Sequence, residues 1–366
     1  IIYLWLTLML RMMLLLAILG EIMSDSVSTV KGFSKHELAS SLSNEKFQLI
    51  LFPTEQCNFR CVYCYEDFEI GKMPDWLVEA TKTLIKNKMK SLKFLSLNWF
   101  GGEPLLARDI VFEIAEYAQN LAKENNCKVY GDLTTNGSLL DIKTLTKLVE
   151  LKQNSFQISI DGDKESHDTT RLTRNGRGSF DKIWGRLLDA AATDLDFKIT
   201  LRIHITDLNH ESVLKFCKRY DETLFSDSRF QLFFKAIDNL GGDNQDTIKV
   251  LTSKRTARDL VKELTIRYSG TSKQIDKNGH YICYAGKPNS LGIRANGNIN
   301  KCTVALDDDR NNIGKINPDG TLTLNNEKFS TWIKGFTTLD SWQMGCPLSY
   351  MNSNSIVGDI AIKKVS

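Results

Sequence analysis

Among the 366 residues no block of a single charge stands out: 47 lysines and arginines are interspersed with 44 aspartates and glutamates, leaving a formal net charge of +3. A chain so balanced lacks the electrostatic footprint of a nucleic-acid partner. Histidine is scarce. None of the five, His36, His167, His204, His210 and His280, stands in a recognisable arrangement with a serine or cysteine nucleophile, so hydrolytic catalysis is not indicated. Internal repeats and low-complexity segments are missing too. The eight cysteines lack the density of a small secreted disulfide scaffold. A hydrophobic content of 42% suits a packed globular core.

The first nineteen residues, "IIYLWLTLMLRMMLLLAIL", are almost wholly apolar and have the length of a membrane-spanning helix. Arg11 interrupts them, no small-residue cleavage site follows, and Met23 opens an ordinary polar segment, "MSDSVSTVKGF". Residues 1–22 are therefore read as an apolar extension foreign to the native protein, in preference to a signal anchor. A short segment, 23–46, precedes the first domain.

From residue 47 short apolar, β-branched runs alternate with amphipathic stretches of helical period. Strands are predicted at 47–52, 94–100, 128–135, 155–160, 197–205 and 230–237, with helices near 75–90, 107–125, 141–152, 179–193, 209–223 and 253–268. Strands separated by helices imply a parallel sheet, either open and doubly wound or curled into a barrel or part of one. In each case functional groups gather beyond the carboxyl ends of the strands. After about 270 the pattern changes. "SGTSKQIDKNG" reads as a linker, and "SLGIRANGNINKC" and "IGKINPDGTLTL" read as strand pairs around Asn-Gly and Pro-Asp-Gly turns. "EKFSTWIKGF" reads as a short helix in this β-rich appendix.

The cysteines fall into groups. Cys57, Cys61 and Cys64 crowd into "QCNFRCVYCYEDF" after the first strand; Cys283, Cys302 and Cys346 are dispersed through the appendix; Cys127 and Cys217 sit singly in apolar-patterned segments as small core residues. Thiolates suit zinc or iron–sulfur clusters. Structural zinc wants four ligands, and the tight trio has no fourth cysteine or histidine nearby. Three thiolates on a [4Fe–4S] cube instead leave one iron open.

The CxxxCxxC spacing, with Tyr63 before its third cysteine, "GGEP" at 101–104, "TTNG" at 134–137 and "SIDGDKESHDTTR" at 159–171, resembles the radical SAM superfamily. The subgroup containing peptide-modifying and sulfatase-maturing enzymes is the one it is most similar to, over about residues 46 to 350. The resemblance implies a partial (β/α)6 TIM-like barrel, the radical SAM core at 47–270, followed by an auxiliary-cluster domain at 271–350 and a tail at 351–366. It further implies that Cys57, Cys61 and Cys64 ligate three irons while S-adenosylmethionine chelates the fourth. Gly101, Gly102, Glu103 and Asn136 would border that cofactor, Tyr63 would lie near adenine, Ser159 and Asp161 would meet the ribose hydroxyls, and Arg171 would pair with the carboxylate. An electron from the cube would then cleave the cofactor to a 5′-deoxyadenosyl radical, which takes a hydrogen atom from substrate.

"GNINKC" and "CPLS" resemble the auxiliary-cluster domains called SPASM and Twitch. Ser349 stands where a Twitch domain has a second cysteine. The resemblance therefore implies one auxiliary [4Fe–4S] cluster on Cys283, Cys302 and Cys346, with Ser349, an acidic residue of "LDDDR" or substrate completing it. Asp307 is a candidate general base. The leading expectation is a cytoplasmic enzyme that oxidatively modifies a peptide or protein, for instance by cross-linking. Its partners would be a reductant such as flavodoxin or ferredoxin and, for a peptide, a separate leader-recognition protein. Alternatives are a radical SAM dehydrogenase of a small alcohol or sugar, and a non-enzymatic iron–sulfur or zinc module.

Overall fold

Alternating side chains along a strand face opposite ways, and the strand sequences of this chain sort cleanly by that parity. The computed structural model describes residues 29–30, 33–237, 256–268 and 281–353. The apolar stretch 1–22, the linker "SGTSKQIDKNG" and the chain beyond 353 lie outside the described residues. Two compact units emerge, one of residues 1–43, 276–289 and 327–366, the other of 44–275 and 290–326.

In the smaller unit, β1 (Thr29–Val30) pairs antiparallel with β2 (Phe33–Ser34) and leads into α1 (Lys35–Leu42). That helix starts on a capping box: Ser34 Oγ accepts from the Glu37 N–H at 3.1 Å, and the Glu37 carboxylate accepts from the Ser34 N–H at 2.8 Å. Leu38 and Leu42 pack with Phe33, Ile282, Phe336 and Met344 into the core of this unit.

In the larger unit the six predicted strands form as β3 (Lys46–Leu51), β5 (Phe94–Trp99), β6 (Lys128–Thr135), β7 (Ser155–Ile160), β9 (Lys198–Ile205) and β10 (Phe230–Ala236). All pair in parallel, in the order β10-β9-β7-β6-β5-β3. Helices α2 (Asp75–Met89), α3 (Arg108–Asn125), α4 (Ile142–Glu150), α5 (Lys164–Thr170), α6 (Phe180–Ala191) and α7 (His210–Thr223) make the crossovers, and α8 (Thr256–Arg267) follows β10. This is the mixed α/β architecture expected.

Beyond β3 the sheet continues. β11 (Ser290–Ile293) adds in parallel to β3, and β12 (Asn298–Asn300), β13 (Asn312–Ile316) and β14 (Leu322–Leu324) follow antiparallel. The Asn-Gly and Pro-Asp-Gly turns form where expected, with Gly297 and Gly320 at φ of 85° and 75°. Residues 290–326, which carry these strands, fall within the larger unit. A backbone edge that β3 left open accepts β11, and no side-chain pattern announces such a pairing. The sheet ends on β10 and β14 and does not close.

One face of the parallel strands is apolar apart from Thr135 at the end of β6: Leu95, Leu97, Phe156, Ile158, Ile199 and Leu201 are buried. The other carries Asn98, Asp132, Gln157, Ser159, Thr200 and Arg202, half-buried. A parallel strand buried on both faces would read as a continuous hydrophobic run. This second face is therefore less fully buried than the first.

Gly131 marks the tightest point of the apolar face. Trp99 Nε1 donates to Gln153 Oε1 at 2.8 Å with both residues buried, and a Cβ on Gly131 would collide with that same oxygen and with the Leu97 carbonyl. Gly131→Ala is expected to destabilise the protein by about 1–3 kcal/mol through overpacking, read as a lower urea midpoint at unchanged slope.

Candidate functional site

The cysteine trio follows β3 on a loop whose middle forms β4 (Phe59–Cys61). β4 pairs antiparallel with β8 (Arg171–Thr173), which places Cys61 opposite Arg171. All three thiols are free and half-buried. Cys57 Sγ receives the Phe59 N–H at 3.3 Å and lies 3.9 Å from Asn136 Nδ2. Burial, with the Glu103 charge adding for Cys57, pushes Cys57 and Cys64 up to about 12. Cys61 rises too, again through burial, with the Arg171 charge opposing. Thiols so placed ionise only when a metal takes the proton's place. Among the described residues no three His, Cys, Asp or Glu side chains converge on a point suited to a single metal ion. A cube makes no such demand, because each thiolate binds a different iron. Three soft thiolate donors on one loop fit an iron–sulfur cluster.

Two further rim loops brace this one. Gly101 has φ of 108°, and a Cβ on Gly102 would stand 2.5 Å from the Gln56 carbonyl, so only glycines let the "GGEP" backbone lie against residues 54–56. Glu103 is fully buried. Its carboxylate accepts from the Leu105 N–H at 3.0 Å, the Thr135 hydroxyl at 2.7 Å and the Asn136 N–H at 2.7 Å, and its own N–H donates to the Gln56 carbonyl at 3.0 Å. Asn136 Nδ2 donates to Asn58 Oδ1 at 2.8 Å. Gly101, Gly102, Glu103 and Asn136 thus meet around Cys57, each engaged with protein groups.

A second cluster lies across β7, β9 and β8. Asp161, 2% exposed, accepts from Tyr63 Oη at 2.7 Å, from Thr170 Oγ1 at 2.6 Å and from His204 Nδ1 at 3.0 Å. Burial works to raise its pKa, but the His204 hydrogen bond and the nearby Arg171 charge override it and hold the carboxyl well below the ordinary range. Arg171 Nη1 donates to Tyr63 Oη at 2.7 Å, while its Nε is buried without a partner among the described residues. Ser159 lies half-buried on β7, in register with Arg202 of β9. The structure therefore brings Tyr63, Asp161 and Arg171 together, and the hydrogen bonds of Asp161 run to protein groups.

Sequence reasoning passed over several residues here. His204 ends a strand beside the rim, which was its one legible signal. Glu55, fully buried two residues before Cys57, is gripped by Arg294, whose Nε lies 3.1 Å from Glu55 Oε2 and whose Nη1 donates to the Leu306 carbonyl at 3.0 Å. Glu66, two residues after Cys64, is pushed up to about 8 by burial and the Glu55 charge. Nothing in spacing or composition marked either glutamate.

Cys302 belongs to the larger unit, on a loop stapled by buried Asn311. Asn311 Oδ1 accepts the Cys302 N–H at 2.8 Å, and Nδ2 donates to the Cys302 and Ala305 carbonyls at 2.8 and 2.7 Å. Asp308 is paired with Arg310 at 2.9 Å. Asp307 is exposed and lines a cavity of about 220 Å³ with Arg294, Asn300 and Asp309. In the smaller unit the Cys283 N–H donates to the Met344 carbonyl at 2.9 Å. Ser349 reaches Cys346 there through its backbone, N–H to Sγ at 3.4 Å.

Comparison with known proteins matches residues 51–219 to the Radical SAM superfamily. The chain is 27% identical over 200 residues to a cysteine-type anaerobic sulfatase-maturating enzyme of Clostridium novyi (strain NT), covering 52% of this chain and 51% of that protein. It is 32% identical over 131 residues to an uncharacterized Methanocaldococcus jannaschii protein, covering 36% of this chain and 44% of that protein. The chain thus spans about half the length of these relatives. Its fold resembles that of polyhistidine-tagged anSMEcpe with bound AdoMet, at a TM-score of 0.55 and 21% identity over 82% of this chain and 88% of that one. It also resembles Streptococcus suis SuiB bound to precursor peptide SuiA, at 0.53 and 13% over 85% and 75%.

His167 generates a pH prediction. Its Nε2 lies 3.0 Å from Ser179 Oγ, and burial pushes it down to about 4 from an ordinary 6.5. The folded state therefore resists a proton that the unfolded chain accepts, so this contribution to stability is intact above pH 6.5 and is lost as pH falls toward 4. His167→Gln is expected to flatten that part of the slope, measured as urea midpoints across the same pH range.

Proposed function

Because this chain belongs to the Radical SAM superfamily, we propose that it is an oxidative modifier of a peptide or protein substrate, with Cys57, Cys61 and Cys64 holding the open cube. The observation that carries the site is the pairing of three half-buried free thiols with a buried guanidinium, Arg171, whose Nε–H has no acceptor among the described residues. When bound there, the cube and S-adenosylmethionine would supply a 5′-deoxyadenosyl radical able to take hydrogen from an unactivated carbon.

The chain's own residues would do the rest. Gly101, Gly102, Glu103 and Asn136 set the position of the Cys57 loop at the methionine end of the cofactor. Ser159 and Asp161, at the end of β7, would meet the ribose, with Asp161 also holding Tyr63 close to the adenine. The polar sheet face, with Asn98, Gln157, Thr200 and Arg202, offers donors and acceptors suited to peptide amides. Relatives support a peptide reading by their descriptions: SuiB is seen bound to its precursor peptide, and anSMEcpe with bound AdoMet and the Cp18Cys peptide.

The auxiliary cluster on Cys283, Cys302 and Cys346, with Ser349 as a candidate fourth ligand, is part of the same proposal and rests on residue type and order along the chain. So do the core at 47–270 and the cluster domain at 271–350. Asp307, exposed and with Arg294 on one cavity wall, is the proposed base for the substrate radical's proton. A flavodoxin or ferredoxin would supply electrons in a reducing, cytoplasmic setting, where among the described residues no helix is long and apolar enough to cross a membrane.

Anaerobic reconstitution is expected to load about eight irons, two cubes' worth, and to give 5′-deoxyadenosine when S-adenosylmethionine and a reductant are added. One zinc and no cleavage would overturn the proposal. Cys346→Ala is expected to lose about half of that iron; full retention of iron and of the visible spectrum would remove Cys346 as a ligand.

A further inference from the structure

His204 lies on β9, outside every motif that marks the site in the sequence, and is 8% exposed. Its Nδ1 stands 3.0 Å from Asp161 Oδ1 and 3.1 Å from Tyr63 Oη. An ionised carboxylate only accepts, so Nδ1 carries the proton and the Tyr63 hydroxyl points its own proton at Asp161. That leaves the phenol lone pair for Arg171 Nη1, 2.7 Å away. The network thereby converges on the Asp161 carboxylate from both sides, His204 donating on one and Tyr63, itself receiving Arg171, on the other. It ends on Arg171 Nε, buried without a partner among the described residues, in a side chain 7% exposed and directly across the ladder from Cys61. A buried donor left without an acceptor destabilises a fold unless some anion completes it.

We propose that His204 is a positioning residue for the iron–sulfur cube: acting through Asp161 and Tyr63, it holds Arg171 so that the unpartnered Nε–H lies against the Cys61 side of the cube and raises its reduction potential. The inference rests on the reading that Cys57, Cys61 and Cys64 hold a cube. Reduction adds one negative charge to the cluster, and a fixed cation with a donor aimed at its thiolate stabilises the more negative state. The low dielectric of a buried site magnifies that difference. Without His204, the Asp161 carboxylate loses a donor and is free to draw the guanidinium away from Cys61.

The test uses the full chain with its clusters reconstituted anaerobically, iron and acid-labile sulfide being assayed in every sample. The midpoint potential of the site cube is read by EPR-monitored titration without S-adenosylmethionine. His204→Phe and Tyr63→Phe are each expected to shift it to more negative values. The double variant should fall no further than Tyr63→Phe alone, because the two groups act in series. His204→Gln, whose amide can still donate, should stay near the wild type. If His204→Phe fails to load iron, Tyr63→Phe and His204→Gln decide the matter. Wild-type potentials in loaded His204→Phe or Tyr63→Phe would overturn the inference, as would an unchanged potential accompanied only by a weaker spectral response to S-adenosylmethionine, which would assign Arg171 to the cofactor's carboxylate alone. A wild-type protein that binds no cube would instead overturn the functional reading beneath it.

Discussion

A single buried carboxylate organises the rim of this protein. Glu103 accepts hydrogen bonds from its own loop and from the Thr135 and Asn136 loop, while its backbone N–H reaches the carbonyl of Gln56 beside the cysteines. Three post-strand loops from three different strands are thereby joined at one point. Burial raises the Glu103 pKa and the donors around it oppose that rise, so the junction holds because three donors to the carboxylate replace the lost water. The glycines before it allow the close approach, and Cys57 is placed as a result.

The same logic recurs wherever charge is buried. Asp161 is compensated by His204, Tyr63 and Thr170, and Glu55 by Arg294 and the Ala295 N–H. Breaking one partner of such a pair leaves an uncompensated charge, which costs far more than the pair contributes when intact. These pairs therefore serve geometry more than stability. They fasten the loop that carries the cysteines to strands on either side of it, and in Arg171 they leave one donor that no described residue accepts.

The sheet divides its labour by parity. Alternate residues pack under the helices and form the core, while the intervening ones keep a polar face half open to whatever ligand enters. A parallel sheet tolerates this only where the polar side chains find partners. Ser96 Oγ donates to Asn98 Oδ1 at 3.0 Å, and Asn98 Nδ2 in turn donates to Asp132. The extension through β11 to β14 adds four strands beyond β3 and brings the Cys302 loop into the same unit as the trio.

Much of this was legible without coordinates. All six parallel strands and the helices after them formed within a few residues of where periodicity placed them, because hydrophobic period is a local property that burial of one face enforces. The CxxxCxxC spacing and the loop motifs named the family, since such chemistry needs particular residues at short range. What sequence could not disclose was contact over long separations. The parallel pairing of β11 with β3 joins Ser290 to Gln48 through backbone atoms that every residue possesses. The burial of Glu55 by Arg294 and the link from His204 to Tyr63 likewise depend on which side chains the folded sheet brings together. Residue order and period settled the elements and the chemistry available to them. Which charges face one another emerged only on folding, because electrostatic partnership depends on distance in space and on exclusion of water.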